Sequence, residues 1–315
     1  MATIEDFKRQ WRDGIDFIEA HTSGSTGTPK PIRLLKSDMR ASARATNTFF
    51  SIGADSSIAA ALSVDYIAGK MMVVRALEAG CKLVELPVSR TVEIPDGIIL
   101  DLLAVVPAQL QSLLERPELS ARIRNLLIGG AAPSALQSDE LRKAGYKAFI
   151  SYGMTETCSH VALAEASDPQ RVYHAMPGIS FEVDENNCLT VNAPHFSFGK
   201  LATRDVVDLL DEKSFMWRGR ADGVINSGGL KFYPEELEAL YARALQGFDY
   251  YVVGRPDEVW GHAVQLVIEA EEIDCEDIRR RLAAVVSEHR KLPKDIVAVA
   301  ELDRTTSGKI KRIPR

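Results

Sequence analysis

Along the first half of the chain, short aliphatic runs alternate with longer segments in which apolar residues recur at helical spacing. Residues 56–64 (SSIAAALSV), 81–88 (CKLVELPV), 122–130 (RIRNLLIGG) and 146–153 (YKAFISYG) read as strands, each a nearly continuous apolar run beside glycine, proline or serine. Residues 69–80 (GKMMVVRALEAG) and 133–145 (PSALQSDELRKAG) read as helices. In the second of these, Ser134 is placed to cap the start and Gly145 to follow the end. This alternation predicts a layered α/β sheet with helices on its faces. After residue 180 the period shortens to two, and residues 181–194 and 206–220 read as an antiparallel meander.

A smaller α+β unit follows. Residues 233–245 form a helical pattern with Pro234 near its first position and Glu235 and Glu236 in its first turn, where both are favourable. Residues 250–256 and 263–270 read as strands, 275–292 as a helix and 295–302 as a last strand. The expected architecture is a large layered α/β N-terminal domain with a β-rich subdomain, residues 1–221, and a small α+β C-terminal domain, residues 222–315.

At 315 residues and 46% hydrophobic content, the chain is long enough to bury cores for both units. Its N-terminus lacks a signal-peptide pattern, and the longest apolar stretch, residues 98–107, is interrupted by Asp101 and ends at Pro107, too short for a bilayer. The four cysteines form no CxxC pair or His-spaced cluster, which points to a reducing compartment, the cytoplasm, and to no zinc site. A net charge of -6 argues against a nucleic-acid or anionic-membrane surface. Cations nevertheless gather in the tail, at Arg304, Lys309, Lys311, Arg312 and Arg315. On composition alone this tail is a solvated end.

The segment from His21 to Lys30 is the densest in candidate chemistry. Gly24 and Gly27 lie among Thr22, Ser23, Ser25, Thr26 and Thr28, followed by Pro29 and Lys30. Backbone N–H groups of such a loop can form an anion nest, with hydroxyls as further donors and Lys30 as a point charge, so phosphate is the natural guest. The spacing is not that of a Walker A loop, and a Ser/Thr/Gly stretch taken alone is more often a linker.

Thr22 to Lys30 resembles, position for position, the phosphate loop of the superfamily of acyl-CoA synthetases, peptide-synthetase adenylation domains and firefly luciferase. Further motifs of that superfamily follow in order: Gly129-Gly130-Ala131-Ala132-Pro133, Tyr152-Gly153-Met154-Thr155-Glu156, Thr203-Arg204-Asp205, Gly219-Arg220-Ala221-Asp222, Ser227-Gly228-Gly229, and Ser307-Gly308-Lys309. The resemblance implies an ATP- and Mg2+-dependent ligase that joins a carboxylic acid to coenzyme A through an acyl-adenylate. It assigns Thr22, Ser23, Gly24, Ser25, Thr26, Gly27 and Lys30 to the ATP phosphates, and Gly129, Gly130, Ala131, Tyr152 and Gly153 to the nucleotide. Asp205 and Arg220 go to the ribose and phosphate. Thr155, Glu156 and Lys309 become the catalytic groups, Glu156 also holding Mg2+. Asp222 becomes the hinge of a mobile C-terminal domain, and Gly228 and Gly229 the face that receives CoA. The charge logic is sound: an anionic carboxylate must approach an anionic triphosphate, so the site has to neutralise and align both.

Two segments, residues 152–163 and 62–72, look most like o-succinylbenzoate:CoA ligases of menaquinone biosynthesis. Such an acid carries a second carboxylate, so its pocket should offer a cation or several donors. Tyr66, Lys70, Ser159 and His160 are the candidates from these segments. Little sequence precedes the phosphate loop, so the large domain is expected to be pared down; Arg204 stands where the family has glycine, and Gly223 where it has a second hinge aspartate. The rivals are a ligase for another aryl or short acid, a peptide-synthetase adenylation domain, and a non-catalytic nucleotide or acyl-CoA binding homologue. The partners expected are small molecules, and a homodimer is compatible with the sequence.

Overall fold

The computed structural model describes residues 2–21, 30–304 and 310–315. The elements in chain order are α1 (Ile4–Arg12), β1 (Phe17–His21), β2 (Pro31–Leu35), α2 (Lys36–Phe49), β3 (Ser57–Ala60), α3 (Ile67–Ala79), β4 (Lys82–Glu85), β5 (Leu102–Val105), α4 (Pro107–Leu114), β6 (Leu126–Ile128), α5 (Ala135–Lys143) and β7 (Ala148–Gly153). The meander comprises β8 (His160–Glu165), β9 (Val172–Ala175), β10 (Ser180–Val183), β11 (Cys188–Ala193), β12 (Gly199–Asp211) and β13 (Ser214–Arg220). The remainder is β14 (Ile225–Ser227), β15 (Leu230–Phe232), α6 (Pro234–Tyr241), β16 (Tyr250–Asp257), β17 (Gly261–Glu269), α7 (Cys275–Val285) and β18 (Asp295–Val299).

The α/β expectation holds, with one refinement. The β-rich part is not a separate layer but continues the α/β sheet, giving eleven strands in the order β10-β11-β12-β13-β9-β8-β7-β6-β5-β3-β4. Strands β4, β3, β5, β6 and β7 pair in parallel, and from β7 onward every pairing is antiparallel. The central parallel strands β3, β5 and β6 are buried almost throughout, as the continuous apolar runs require, while β4 at the sheet edge is largely exposed. Helix α5 starts as its sequence demands: Ser134 accepts from the Gln137 N–H, and Gln137 reaches back to the Ser134 N–H, a reciprocal capping box.

Strands β14 to β18 form a second, five-stranded sheet, with α6 and α7 contributing to its core of Leu237, Tyr241, Leu266, Ile268, Ile278 and Leu282. Helix α7 stops at Val285, short of the expected run to residue 292, and a separate 3-10 turn covers His289–Lys291. The consecutive Val285-Val286-Ser287 are poor helix formers and break the pattern. Helix α6 likewise ends at Tyr241 and gives way to turns. Helix α1 and the β1–β2 hairpin lie against α2 and α3, burying Phe7, Trp11, Ile18 and Met71 in a cluster of their own. Arg218 on β13 ties the two sheets together, meeting Asp208 on β12 and, at 2.7 Å, Glu236 on α6.

Candidate active site

In a parallel sheet, ligands bind beyond the carboxyl ends of the strands, where loops part and backbone N–H groups are free. Gly129 follows β6 and Gly153 ends β7, so the two glycine motifs from the sequence emerge side by side at that edge of paired strands. Gly130 and Ala131 are exposed there. Gly153 is required by a close approach of backbone: a Cβ at this position would lie 2.3 Å from the Ser159 carbonyl oxygen and 2.5 Å from the His160 Cα. The intervening residues fold into a tight turn. Thr157 Oγ1 donates toward the Met154 and Ser159 carbonyls and accepts from the Met154 N–H, while Cys158 takes a φ of 63°. The turn sets Thr155 and Glu156 on a single 3-10 turn at the strand end, Thr155 buried and Glu156 half-buried. Among the described residues Glu156 makes no hydrogen bond or ion pair.

Tyr152, Asp205 and Arg220 converge from three strands. Tyr152 donates its phenol hydrogen to Asp205 Oδ2 at 2.7 Å, and Arg220 Nη1 stands 3.7 Å from Asp205 Oδ1. Burial, with the Asp205 charge beside it, pushes the Tyr152 phenol well above its ordinary range. Arg220 makes a bidentate pair with Asp222, both contacts 2.9 Å, and this guanidinium holds the Asp222 carboxyl below its usual value. Arg204, which replaces the family's glycine, stands 3.8 Å from the same carboxylate. One chain of polar contacts thus runs from β7 to the 3-10 turn Ala221–Gly223 that joins the two sheets.

Other candidates lie elsewhere. Thr22, Ser23, Gly24, Ser25, Thr26, Gly27 and Lys309 fall outside the described residues; Lys30 is exposed at the start of β2. Gly228 and Gly229 both have positive φ on the turn between β14 and β15. A Cβ on Gly228 would meet the Trp260 ring at 2.7 Å, and Lys294 Nζ caps that ring at 4.9 Å.

The four residues suggested for the acid pocket do not gather. Tyr66 is 59% exposed. Lys70 is buried but turned toward helix α1, donating to the Val64 carbonyl and lying over the Phe7 ring at 5.7 Å. Ser159 and His160 stay together and acquire an unforeseen partner, Arg75 on α3, which is 2% exposed. Hydroxyl geometry orders the network. Thr46 Oγ1 donates to the Ser42 carbonyl at 3.0 Å, so it accepts from His160 Nε2 at 3.2 Å. His160 Nδ1 then accepts from Ser159 Oγ at 3.3 Å, and Ser159 in turn accepts from Arg75 Nη2. This tautomer is neutral, in keeping with burial and the nearby Arg75 charge, which hold the imidazole well below 6.5. Burial alone lowers Arg75 to about 10. A lone arginine in residues 71–78, MMVVRALE, was the available signal: it interrupts a helix buried on every side.

A cleft of about 1220 Å³ opens between α4, α5 and the turns after α6, lined by Gln111, Glu115, Glu140, Lys143, Asp249 and Glu269. It contains none of the candidate residues, so the strand ends and not the volume mark the site. Among the described residues no three His, Cys, Asp or Glu side chains gather into a metal-binding group, and no helix is long and apolar enough to cross a membrane.

Comparison with known proteins is consistent with this arrangement. Residues 20–204 match the model of the AMP-binding enzyme family and residues 236–309 that of the AMP-binding enzyme C-terminal domain. A 2-succinylbenzoate–CoA ligase from Enterococcus faecalis is 28% identical over 92% of this chain and 67% of its own length. An indoleacetate–CoA ligase from Aromatoleum aromaticum is 27% identical over 93% of this chain and 65% of its own. The chain therefore spans about two thirds of these curated relatives. A crystal structure from Dyadobacter fermentans, of an acyl-CoA synthetase (AMP-forming)/AMP-acid ligase II-like protein, is 33% identical and superposes with a TM-score of 0.64, covering 98% of this chain and 91% of that one. With more than half of its length matched by the family model, the chain belongs to the AMP-binding enzyme family.

Proposed function

We propose that this protein is an AMP-forming acid:CoA ligase, activating a carboxylic acid as its acyl-adenylate and passing the acyl group to coenzyme A, with o-succinylbenzoate as the acid. The observation that carries the reading is the convergence of Tyr152, Asp205 and Arg220 beside the Gly129 and Gly153 strand ends. A buried carboxylate with an arginine at its side suits the ribose hydroxyls and α-phosphate of a nucleotide. Lys30 and the loop before it would hold the outer phosphates, and Thr155 would donate to the α-phosphate.

Glu156 fits a hard cation, since its carboxylate makes no ion pair among the described residues and oxygen donors suit Mg2+. With no larger acidic cluster among the described residues, phosphate oxygens would complete the coordination. Bound there, Mg2+ would neutralise phosphate charge during attack. Lys309 would stabilise the negative charge that builds between carboxylate and α-phosphate. Rotation about Asp222 would then bring Gly228 and Gly229 to the site; the Trp260 ring fills the space beside Gly228, whereas nothing lies within 4 Å of a Cβ at Gly229, which leaves room there for the pantetheine thiol. Resemblance to the Enterococcus ligase favours o-succinylbenzoate; the nearly equal identity to the indoleacetate ligase favours another arylacid as the second reading. ATP–pyrophosphate exchange tests the proposal: it should depend on o-succinylbenzoate, and o-succinylbenzoyl-CoA should form when CoA is added. Exchange with no acid at all would refute the ligase reading, and exchange with indoleacetate alone would select the second.

A further inference from the structure

The loop between β8 and β9 holds an arginine in a backbone conformation that arginine rarely adopts. Asp168 and Pro169 open the loop, a pair that favours chain reversal. One Asp168 oxygen accepts from the Gln170 N–H at 2.9 Å and the other from the Val172 N–H at 2.8 Å, while the Arg171 N–H donates to the Asp168 carbonyl at 3.1 Å. Gripped on both sides, Arg171 takes a φ of 52°, in the left-handed region where a Cβ is crowded. Such strain persists only where the surroundings impose it. The guanidinium it aims meets no carboxylate among the described residues, and burial lowers it from its ordinary value. Its Nη2 donates instead to the Pro133 carbonyl at 2.6 Å and to the Ser138 hydroxyl at 3.3 Å. Pro133 ends the Gly129–Pro133 turn and Ser138 lies one turn into α5, so a single nitrogen ties the turn to the helix that follows it. The other end of the turn is pinned by the Gly129 N–H, which donates to the Val105 carbonyl at 2.9 Å. Between the two pins Gly130, Ala131 and Ala132 are exposed.

We propose that Arg171 is a positioning residue for nucleotide binding, fixing the Gly129–Ala132 backbone against the adenine base by holding the Pro133 carbonyl from behind. The inference rests on the ligase reading for the identity of the ligand. That reading gives the ribose to Asp205 and the phosphates to Thr155, Arg220 and Lys30, which leaves the base for this turn. Backbone groups recognise a base well only when they are already in place, because ordering a glycine-rich turn at the moment of binding costs affinity. Arg171 acts through Pro133, with no contact to the nucleotide, so its weight falls on binding of the nucleoside and not on the pyrophosphate end or the chemical step.

The test uses the full chain as wild type, Arg171→Met, Arg171→Lys and Arg171→Gly. Calorimetry gives the affinities for AMP and for pyrophosphate with Mg2+, and exchange with o-succinylbenzoate over a range of ATP concentrations gives KM and kcat. Arg171→Met should weaken AMP binding and raise the KM for ATP by about 10-fold each, with pyrophosphate affinity and kcat within about twofold of wild type. Arg171→Lys, a point charge in place of a planar fork, should keep part of the affinity. Arg171→Gly removes the guanidinium and the strain together, so it should lose AMP affinity like Arg171→Met while melting no lower, and it carries the test should Arg171→Met fail to fold. AMP affinity unchanged in Arg171→Met and Arg171→Gly overturns the proposal and leaves the ligase reading standing. An equal loss of AMP and pyrophosphate binding also overturns it, marking an arginine that serves folding alone. A wild type that binds no AMP refutes the ligase reading and the proposal with it.

Discussion

Replacing Gly153 with alanine tests whether the backbone contact at the end of β7 positions the turn that carries Thr155 and Glu156. The added Cβ would sit 2.3 Å from the Ser159 carbonyl oxygen, where ordinary contact begins at 3.4 Å, and 2.5 Å from the His160 Cα. Both obstacles are backbone, so no side chain can swing aside. The turn from Met154 to Ser159 must move outward by about an ångström, a displacement of the size that can cost on the order of 100-fold in rate. Overpacking of this kind destabilises by about 2 kcal/mol. Gly53 supplies the control, because a Cβ there meets nothing within 4 Å. Gly53→Ala should leave activity alone and slightly stabilise the protein by restricting the unfolded chain. The assay is acid-dependent ATP–pyrophosphate exchange, paired with the urea midpoint of each variant. If Gly153→Ala keeps wild-type exchange and wild-type stability, the close approach is not what holds Thr155 and Glu156 in place, and the reasoning fails.

Three further outcomes follow from the site. Lys309→Ala should lower acid-dependent exchange by on the order of 100- to 1000-fold while ATP binding, followed by calorimetry, changes little, since the role proposed for it is confined to the transition state. Asp222→Pro should impair thioester formation from preformed adenylate far more than adenylation itself, as the proposed rotation at the Ala221–Gly223 turn would be needed only between the half-reactions; equal effects on both would remove the hinge role. His160 predicts a pH dependence. Its folded-state value lies well below 6.5, so below pH 6.5 the unfolded chain binds a proton that the native state refuses. Stability contributed by the neutral imidazole is complete above pH 6.5 and is lost as pH falls, at roughly 1.4 kcal/mol per pH unit. Urea midpoints for wild type minus His160→Gln, measured from pH 7.5 to 5, should show this slope, and parallel curves would contradict it.

How far the sequence reached depended on whether a signal was local. Strand ends followed by glycine, the Ser134 cap and the two-residue period of the meander are written into consecutive residues, and the structure places each as expected. The Gly153 requirement is different: the motif identified the residue, but only folding the 153–160 turn back on itself shows which backbone it must clear. Continuity of the meander with the parallel sheet was also illegible, because it rests on β7 pairing antiparallel with β8, a partner choice that neither strand encodes alone. The acid pocket shows the limit most clearly. Lys70 carries the charge that a second carboxylate calls for and lies five positions before Arg75 on α3, yet it finds the Val64 carbonyl and the Phe7 ring of α1. Arg75 stands on the same helix, is 2% exposed, and meets no carboxylate among the described residues. Periodicity could not separate them, since α3 is buried from Gly69 to Ala76 on all faces and offers no polar stripe. What distinguishes the two cations is what other parts of the chain bring to them: helix α1 to Lys70, and the loop ending at Ser159 to Arg75. Charge alone therefore cannot rank two cations of one buried helix; the partners that tertiary folding supplies do.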